Sequence, residues 1–171
     1  MTYQILYFSP RGYVEKVARA LWTLLPEGTA CEPLVQQTPE AEVQLIGFEY
    51  QLGNGKRLPE PVEAYLKKQT GKTVFLFSTV SFQPGSSHSG VLHRLAEEAL
   101  PRTCDYRGMY LCRMEPCEST LEAMRDHSEQ NPDNQRAKYW LDRHEKAQGH
   151  PDEKDLEEAR IFAAHVLNLK K

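Results

Sequence analysis

YQILYFSPRGYVEKVARALWTLL, residues 3–25, decides how this chain is read. Ile5-Leu6-Tyr7-Phe8 is a short apolar run rich in β-formers, the pattern of a strand buried on both faces. Ser9-Pro10-Arg11-Gly12 then breaks regular structure, and from Tyr13 onward Val14, Val17, Ala18, Leu21, Trp22 and Leu25 recur at helical spacing. A buried strand that turns directly into an amphipathic helix leaves backbone N–H groups unpaired at the helix start, beside the positive end of the helix dipole. Such a junction suits an anion.

Outward from this stretch the pattern alternates. After a turn at Pro26 to Thr29, Ala30 to Leu34 reads as a weak second strand, and Gln36 to Glu40 as a loop. Val43-Gln44-Leu45-Ile46-Gly47-Phe48 resumes the character of a buried strand and gives way to a polar loop, Glu49 to Leu58, containing Gly53-Asn54-Gly55. Pro59 and Pro61 suit the first turn of a helix whose inner face is Val62, Tyr65 and Leu66, closed by Thr70-Gly71-Lys72. Thr73 to Val80 is almost continuous in apolar and β-branched residues, which predicts a central strand. A small, polar loop, Ser81 to Ser89, feeds a helix to about Leu100 with Val91, Leu92, Leu95 and Leu100 inward, and Cys104 to Cys112 reads as the next strand. The order β, α, β, β, α, β, α, β predicts one parallel sheet with helices on both faces.

Residues 113–150 change character. They are highly charged, with helices expected at about Ser119 to Asp126 and Asn134 to Ala147 on either side of Asn131-Pro132-Asp133. This is an excursion from the sheet, either a cover for the site or a contact surface. Pro151 to Leu169 is the final helix, with Leu156, Ala159, Ile161, Phe162, Ala163, Val166 and Leu167 expected on its buried side and Asp152 and Glu153 complementing the dipole at its start.

With 171 residues and 40% hydrophobic content, the chain is expected to form a single domain over 1–171. A net charge of −3 with both signs interspersed points to no nucleic acid and no membrane surface. The chain shows no leader pattern and no apolar run near ~18 residues, so a cytoplasmic location is expected. Cys31, Cys104, Cys112 and Cys117 lack a CxxC or a regular framework, and reduced thiols are expected. Cys112 and Cys117 with His127, His144 and His150 do not match common zinc spacings, so no metal site is assigned. His88 and His93 lie near the Ser81 to Ser89 loop, either as proton carriers or as solvated histidines. Gly-x-Ser-x-Gly, Walker and Gly-x-Gly-x-x-Gly motifs are absent from the sequence, which removes support for hydrolase and nucleotidase chemistry.

Four passages carry a resemblance to a known family: Ile5 to Leu25; Leu45-Ile46-Gly47-Phe48 with its loop and Leu58-Pro59-Glu60-Pro61-Val62; Val74 to Thr79 with its Ser/Gly loop; and Gly149-His150-Pro151-Asp152-Glu153-Lys154-Asp155-Leu156-Glu157-Glu158-Ala159. The chain resembles the flavodoxin-like family. What the resemblance implies is a three-layer α/β fold, its five-stranded parallel sheet in the order 2-1-3-4-5, with flavin mononucleotide (FMN) across the strand carboxyl ends. It implies that Ser9 to Val14 surrounds the phosphate, and that the Phe48 to Gly55 and Thr79 to Ser87 loops flank the isoalloxazine. The implied cofactor-binding residues are Ser9, Arg11, Gly12, Tyr13, Val14, Tyr50, Gly53, Asn54, Gly55, Thr79, Ser81, Gly85 and Ser86. No catalytic residue is assigned.

The sequence departs from the family's phosphate loop, S/T-x-T-G-N-T. Ser9 and Gly12 match, whereas Arg11, Tyr13 and Val14 replace Thr, Asn and Thr. Two hydroxyl donors are thereby lost, and Arg11 either replaces them with a bidentate charged partner or is simply solvated. Tyr50 either stacks on the ring or is an ordinary loop tyrosine, and the Ser-rich loop either donates to the ring or caps the next helix. Two functions therefore lead: an FMN protein in electron transfer or reduction of quinone-type acceptors, with a redox partner protein or a small-molecule acceptor, and a binding module that has lost the cofactor and meets a partner through residues 113–150; a third, a reductase using pyridine nucleotide directly, finds no nucleotide motif in the sequence.

Overall fold

The computed structural model describes residues 1–35, 37–52 and 56–169. The elements run β1 (Tyr3–Phe8), α1 (Tyr13–Trp22), β2 (Ala30–Pro33), β3 (Val43–Tyr50), α2 (Glu60–Leu66), β4 (Thr73–Val80), α3 (Ser87–Ala99), β5 (Asp105–Arg113), α4 (Glu118–Gln130), α5 (Gln135–Glu145) and α6 (Glu153–Val166). The strands form one parallel sheet in the order β2-β1-β3-β4-β5, as the alternation predicts. Every residue of β3 is buried, which follows from its central place and from helices on either side.

Strand periodicity divides the core in two. Leu6, Ile46, Phe48 and Leu76 pack with Val62, Leu66 and Leu92 under α2 and α3. Ile5, Tyr7, Leu45, Phe75 and Phe77 pack with Val14, Val17, Leu21, Ala159 and Ala163 under α1 and α6. Gly47 lies in register with Phe77, and a Cβ there would run into the Phe77 ring. On the same face of β3 as Leu45 and Gly47, the next position is Glu49, pointing at the start of α1.

Two expectations are corrected. Strand β3 continues through Glu49 and Tyr50, which pair with Thr79 and Val80, so the polar loop starts later than the sequence suggests. In α6, Ile161 is 59% exposed and Phe162 38% exposed, because the inward stripe is Leu156, Ala159, Ala163 and Val166, and residues 161 and 162 flank it. Phe162 still rests its ring against Phe75 and Tyr110, above the backbone of Gly108. All four cysteines are free thiols. No helix among the described residues is long and apolar enough to cross a membrane.

Candidate functional site

The β1–α1 junction forms the anion cradle expected of it. Gly12 makes the turn at φ 83°, a conformation that favours glycine, and its N–H donates to the Ser9 carbonyl at 3.2 Å. The donors of the loop converge on one group, the Glu49 carboxylate. Ser9 Oγ donates to Glu49 Oε1 at 2.8 Å, the Arg11 N–H to Oε2 at 2.9 Å and the Tyr13 N–H to Oε1 at 2.8 Å, with a longer contact from the Val14 N–H at 3.4 Å. Ser9 Oγ also accepts from the Glu15 N–H at 3.1 Å, which fixes the hydroxyl rotor. Glu49 is only 4% exposed, and the helix N-terminus supplies the partial positive charge that a buried carboxylate requires.

The side chains of Arg11 and Tyr13 turn away from the cradle. Arg11 Nη2 donates to the Glu115 carbonyl at 2.8 Å, and the Tyr13 hydroxyl donates to Glu115 Oε2 at 3.2 Å. Burial, and then the Glu115 charge beside it, raise the Tyr13 phenol's pKa above its ordinary value. Glu115 also accepts from the Gly149 N–H at 3.3 Å, while its own N–H donates to the His150 carbonyl at 2.8 Å. The two ends of the charged excursion are thus closed on each other and tied to the cradle loop. Between them α4 and α5 form a hairpin in which Arg125 bridges Glu118 and Glu145 at 3.4 and 3.2 Å.

The hairpin overhangs the carboxyl ends of the strands and leaves two adjoining hollows, of about 170 and 420 Å3, which share Leu52, Ser81, Arg113 and His144. Tyr50 is buried at 3% exposed, with its ring edge-on to Phe82 at 6.1 Å. Thr79 is buried with its hydroxyl directed at Met114 Sδ, and Ser81 Oγ accepts from the Leu52 N–H at 2.9 Å. The Gly85 N–H donates to Ser89 Oγ at 3.0 Å, and Ser86 borders the larger hollow while its own Oγ is enclosed without a partner. Gly53, Asn54 and Gly55 lie outside the described residues. Cys112 sits in the α1/α6 core, where burial raises its thiol pKa. His150, Asp152 and Asp155 come close enough for a metal, but their atoms already serve the N-terminal cap of α6: Asp152 and Asp155 bond reciprocally, and His150 Nδ1 meets Asp155 at 2.6 Å.

Residues 4–164 match the family model of the flavodoxin domain. The chain belongs to the flavodoxin-like family. It is 21% identical over 173 residues to the flavodoxin-like domain-containing protein BilS of Clostridioides difficile, covering 95% of this chain and 94% of the relative. Against the BilS protein of Clostridium symbiosum the identity is 28% over 176 residues, covering 91% and 90%. Among solved structures, a Streptococcus pneumoniae flavodoxin superposes with a TM-score of 0.58 at 12% identity, covering 98% of this chain and 99% of that one. Oxidised flavodoxin 2 of Bacillus cereus superposes with a TM-score of 0.53 at 14% identity, covering 98% and 99%.

For a flavodoxin-like protein, FMN is the implied cofactor, and the cradle tests the fit. A phosphate placed among Ser9, Arg11, Tyr13 and Val14 needs the same donors that Glu49 holds, and would meet its carboxylate at contact distance. The phosphate therefore does not fit while Glu49 stays in place. Sequence reading missed Glu49 as a site residue because it was assigned to the loop after Phe48. The available signal was an acidic residue at the end of a strand buried on both faces, paired with a phosphate loop that had lost its hydroxyls.

Proposed function

We propose that the protein is a flavodoxin-like binding module that closes its phosphate cradle with its own Glu49, carries no resident FMN, and makes its contacts through the α4–α5 hairpin and the hollow beneath it. One observation carries this function: the Glu49 carboxylate accepts from Ser9 Oγ and from the backbone of Arg11 and Tyr13, a set of donors otherwise suited to phosphate. The altered loop residues support it. Arg11 and Tyr13 replace a Thr and an Asn of the family pattern, and both spend their side chains on Glu115, anchoring the hairpin.

An FMN titration followed by quenching of flavin fluorescence tests the proposal. The native protein is expected to give no saturable quenching at micromolar flavin, and Glu49→Ser to gain affinity for FMN or inorganic phosphate. A native preparation that is yellow and releases FMN on denaturation overturns it.

A second function keeps the cofactor. In it, the chain serves electron transfer or reduction of a small quinone-type acceptor, FMN supplies the redox chemistry when bound, and Glu49 yields the cradle to the phosphate. The observation favouring it is that the donors of Ser9, Arg11 and Tyr13 still converge on one point. It requires micromolar binding by the native protein and tighter binding by Glu49→Ser.

A further inference from the structure

We propose that the groove between α4 and α5 docks a second copy of this chain, the two hairpins closing face to face as a four-helix bundle. Such docking rests on the hairpin being the contact surface, and it is independent of FMN. The groove is lined by α4, α5 and Asn134 alone, so no loop at the carboxyl ends of the strands enters it.

The face is apolar and uncovered. α4 and α5 pack on each other and only slightly on any other element, so the hairpin stands out from the three-layer body. Between them runs a groove of about 610 Å3 whose apolar side chains are Ala123, Met124, Ala137 and Trp140. Trp140 is 40% exposed and meets the exposed Tyr139 edge to face at 5.4 Å. Two alanines beside a methionine and a tryptophan give the alternation of small and large that interdigitating helices use. No residue of α5 is buried, although Ala137, Trp140 and Leu141 recur along it at helical spacing.

The charges identify the occupant. Glu122, Asp126 and Glu129 on α4 and Arg136 and Lys138 on α5 have no ion pair among the described residues, so unpaired acid gathers on one helix and unpaired base on the other. Asp126 follows Ala123 by three positions and so stands at the groove's margin on α4, while Arg136 lines it on α5. Both lie at the end of the hairpin where the two helices are joined. A twofold axis along the helices lays α4 of each copy across α5 of the other, and Asp126 of one then meets Arg136 of the other, twice over. An axis across the helices would stack α4 upon α4, acid on acid. One surface thus carries both halves of the complementarity, which a second copy meets by symmetry.

Area sets the strength. Helices of 13 and 11 residues are about 20 and 16 Å long, and side by side they present a face roughly 20 Å wide. That is the small end for a specific interface, so a dimer of about micromolar affinity is expected rather than an obligate one.

Sedimentation velocity of the full chain tests the pairing. The native 19.6 kDa chain is expected to pass from monomer to dimer between about 1 and 200 µM. Met124→Glu, which sets a charge on the apolar floor, should weaken association at least about 30-fold. Asp126→Arg and Arg136→Asp should each weaken it about tenfold, since each sets like charges across both contacts. Mixing these two single variants should restore the dimer, because each then offers the other the opposite sign at both contacts. A contact within one chain is not repaired by mixing. Circular dichroism checks that each variant is folded. A native protein still monomeric at about 200 µM overturns the inference whatever the variants do, and leaves the groove to a different chain or to none. A dimer indifferent to Met124→Glu, or a mixture no tighter than its components, overturns it as well. None of these results bears on the FMN titration, and flavin binding by the native protein overturns the binding module without touching the dimer.

Discussion

Two regions at the carboxyl edge of this sheet gather groups suited to an anion, and they differ in whether the anion is already supplied. In the β1–α1 cradle, Ser9 and the backbone N–H groups of Arg11 and Tyr13 are satisfied by Glu49 from the neighbouring strand. In the hollow under α5, Arg113 and Arg143 face each other's charge with no carboxylate between them. The first arrangement converts a binding site into a strut; the second leaves two like charges beside one hollow with no counter-charge among its described lining residues. Mutations should separate the two by the sign of their effect on folding.

The largest effect is expected from Glu49→Ala. It strips the acceptor from a hydroxyl and two short backbone donors in a buried setting, and about 2–4 kcal/mol of stability should be lost, read as a lower urea midpoint at unchanged slope. The emptied cradle should then respond to solution anions. Phosphate buffer should restore part of the loss relative to chloride at equal ionic strength, by ligand linkage to the folded state. A Glu49→Ala midpoint matching that of the native protein would mean that the carboxylate is not what holds the loop.

A smaller effect is expected where the cradle loop grips the hairpin. Tyr13→Phe removes one hydrogen bond to Glu115, and Arg11→Ala removes another, each about 1 kcal/mol. The α4–α5 hairpin buries little of its own apolar surface, with Leu121 its one fully covered helical residue. Its local stability should therefore fall more than the global value does, and amide exchange in α4 and α5 should speed up while β3 and β4 remain protected. Uniform acceleration across the chain would place the clamp in the global core instead.

Most of the architecture was legible because it is written in local apolar runs. The strands at Ile5 to Phe8 and Thr73 to Val80 and the helix from Tyr13 each announce their element, and their alternation fixes a parallel sheet. The cradle was legible too, from the Ser/Gly turn feeding a helix. Its occupant was not, since Glu49 belongs to β3 only through pairing with Thr79 across the sheet, and a glutamate followed by polar residues looks like loop. Ile161 was misplaced for a related reason: α6 is apolar beyond its contact stripe, and only the docking of Ala159 and Ala163 shows which side faces the sheet. The Arg113–Arg143 pair was invisible because it joins the end of β5 to α5 across a long charged segment, and charge in such a segment ordinarily faces solvent.

Arg143→Gln is the smallest expected change and the sharpest test of the contrast. Arg143 is half-buried, forms no ion pair among the described residues, and stacks on the exposed Tyr139 ring. Its removal forfeits that cation–π contact, about 0.5–1 kcal/mol at an exposed site, and in the opposite direction relieves the repulsion that Arg113 feels from it. Stability should therefore stay within about 0.5 kcal/mol of the native value, and should tend upward at low salt, where like charges are least screened. Urea midpoints for native protein and variant at low and high ionic strength check this. If the variant is the less stable at low salt and the gap closes as salt is added, Arg143 is engaged with a negative group of the protein, and the cleft, like the cradle, supplies its own anion.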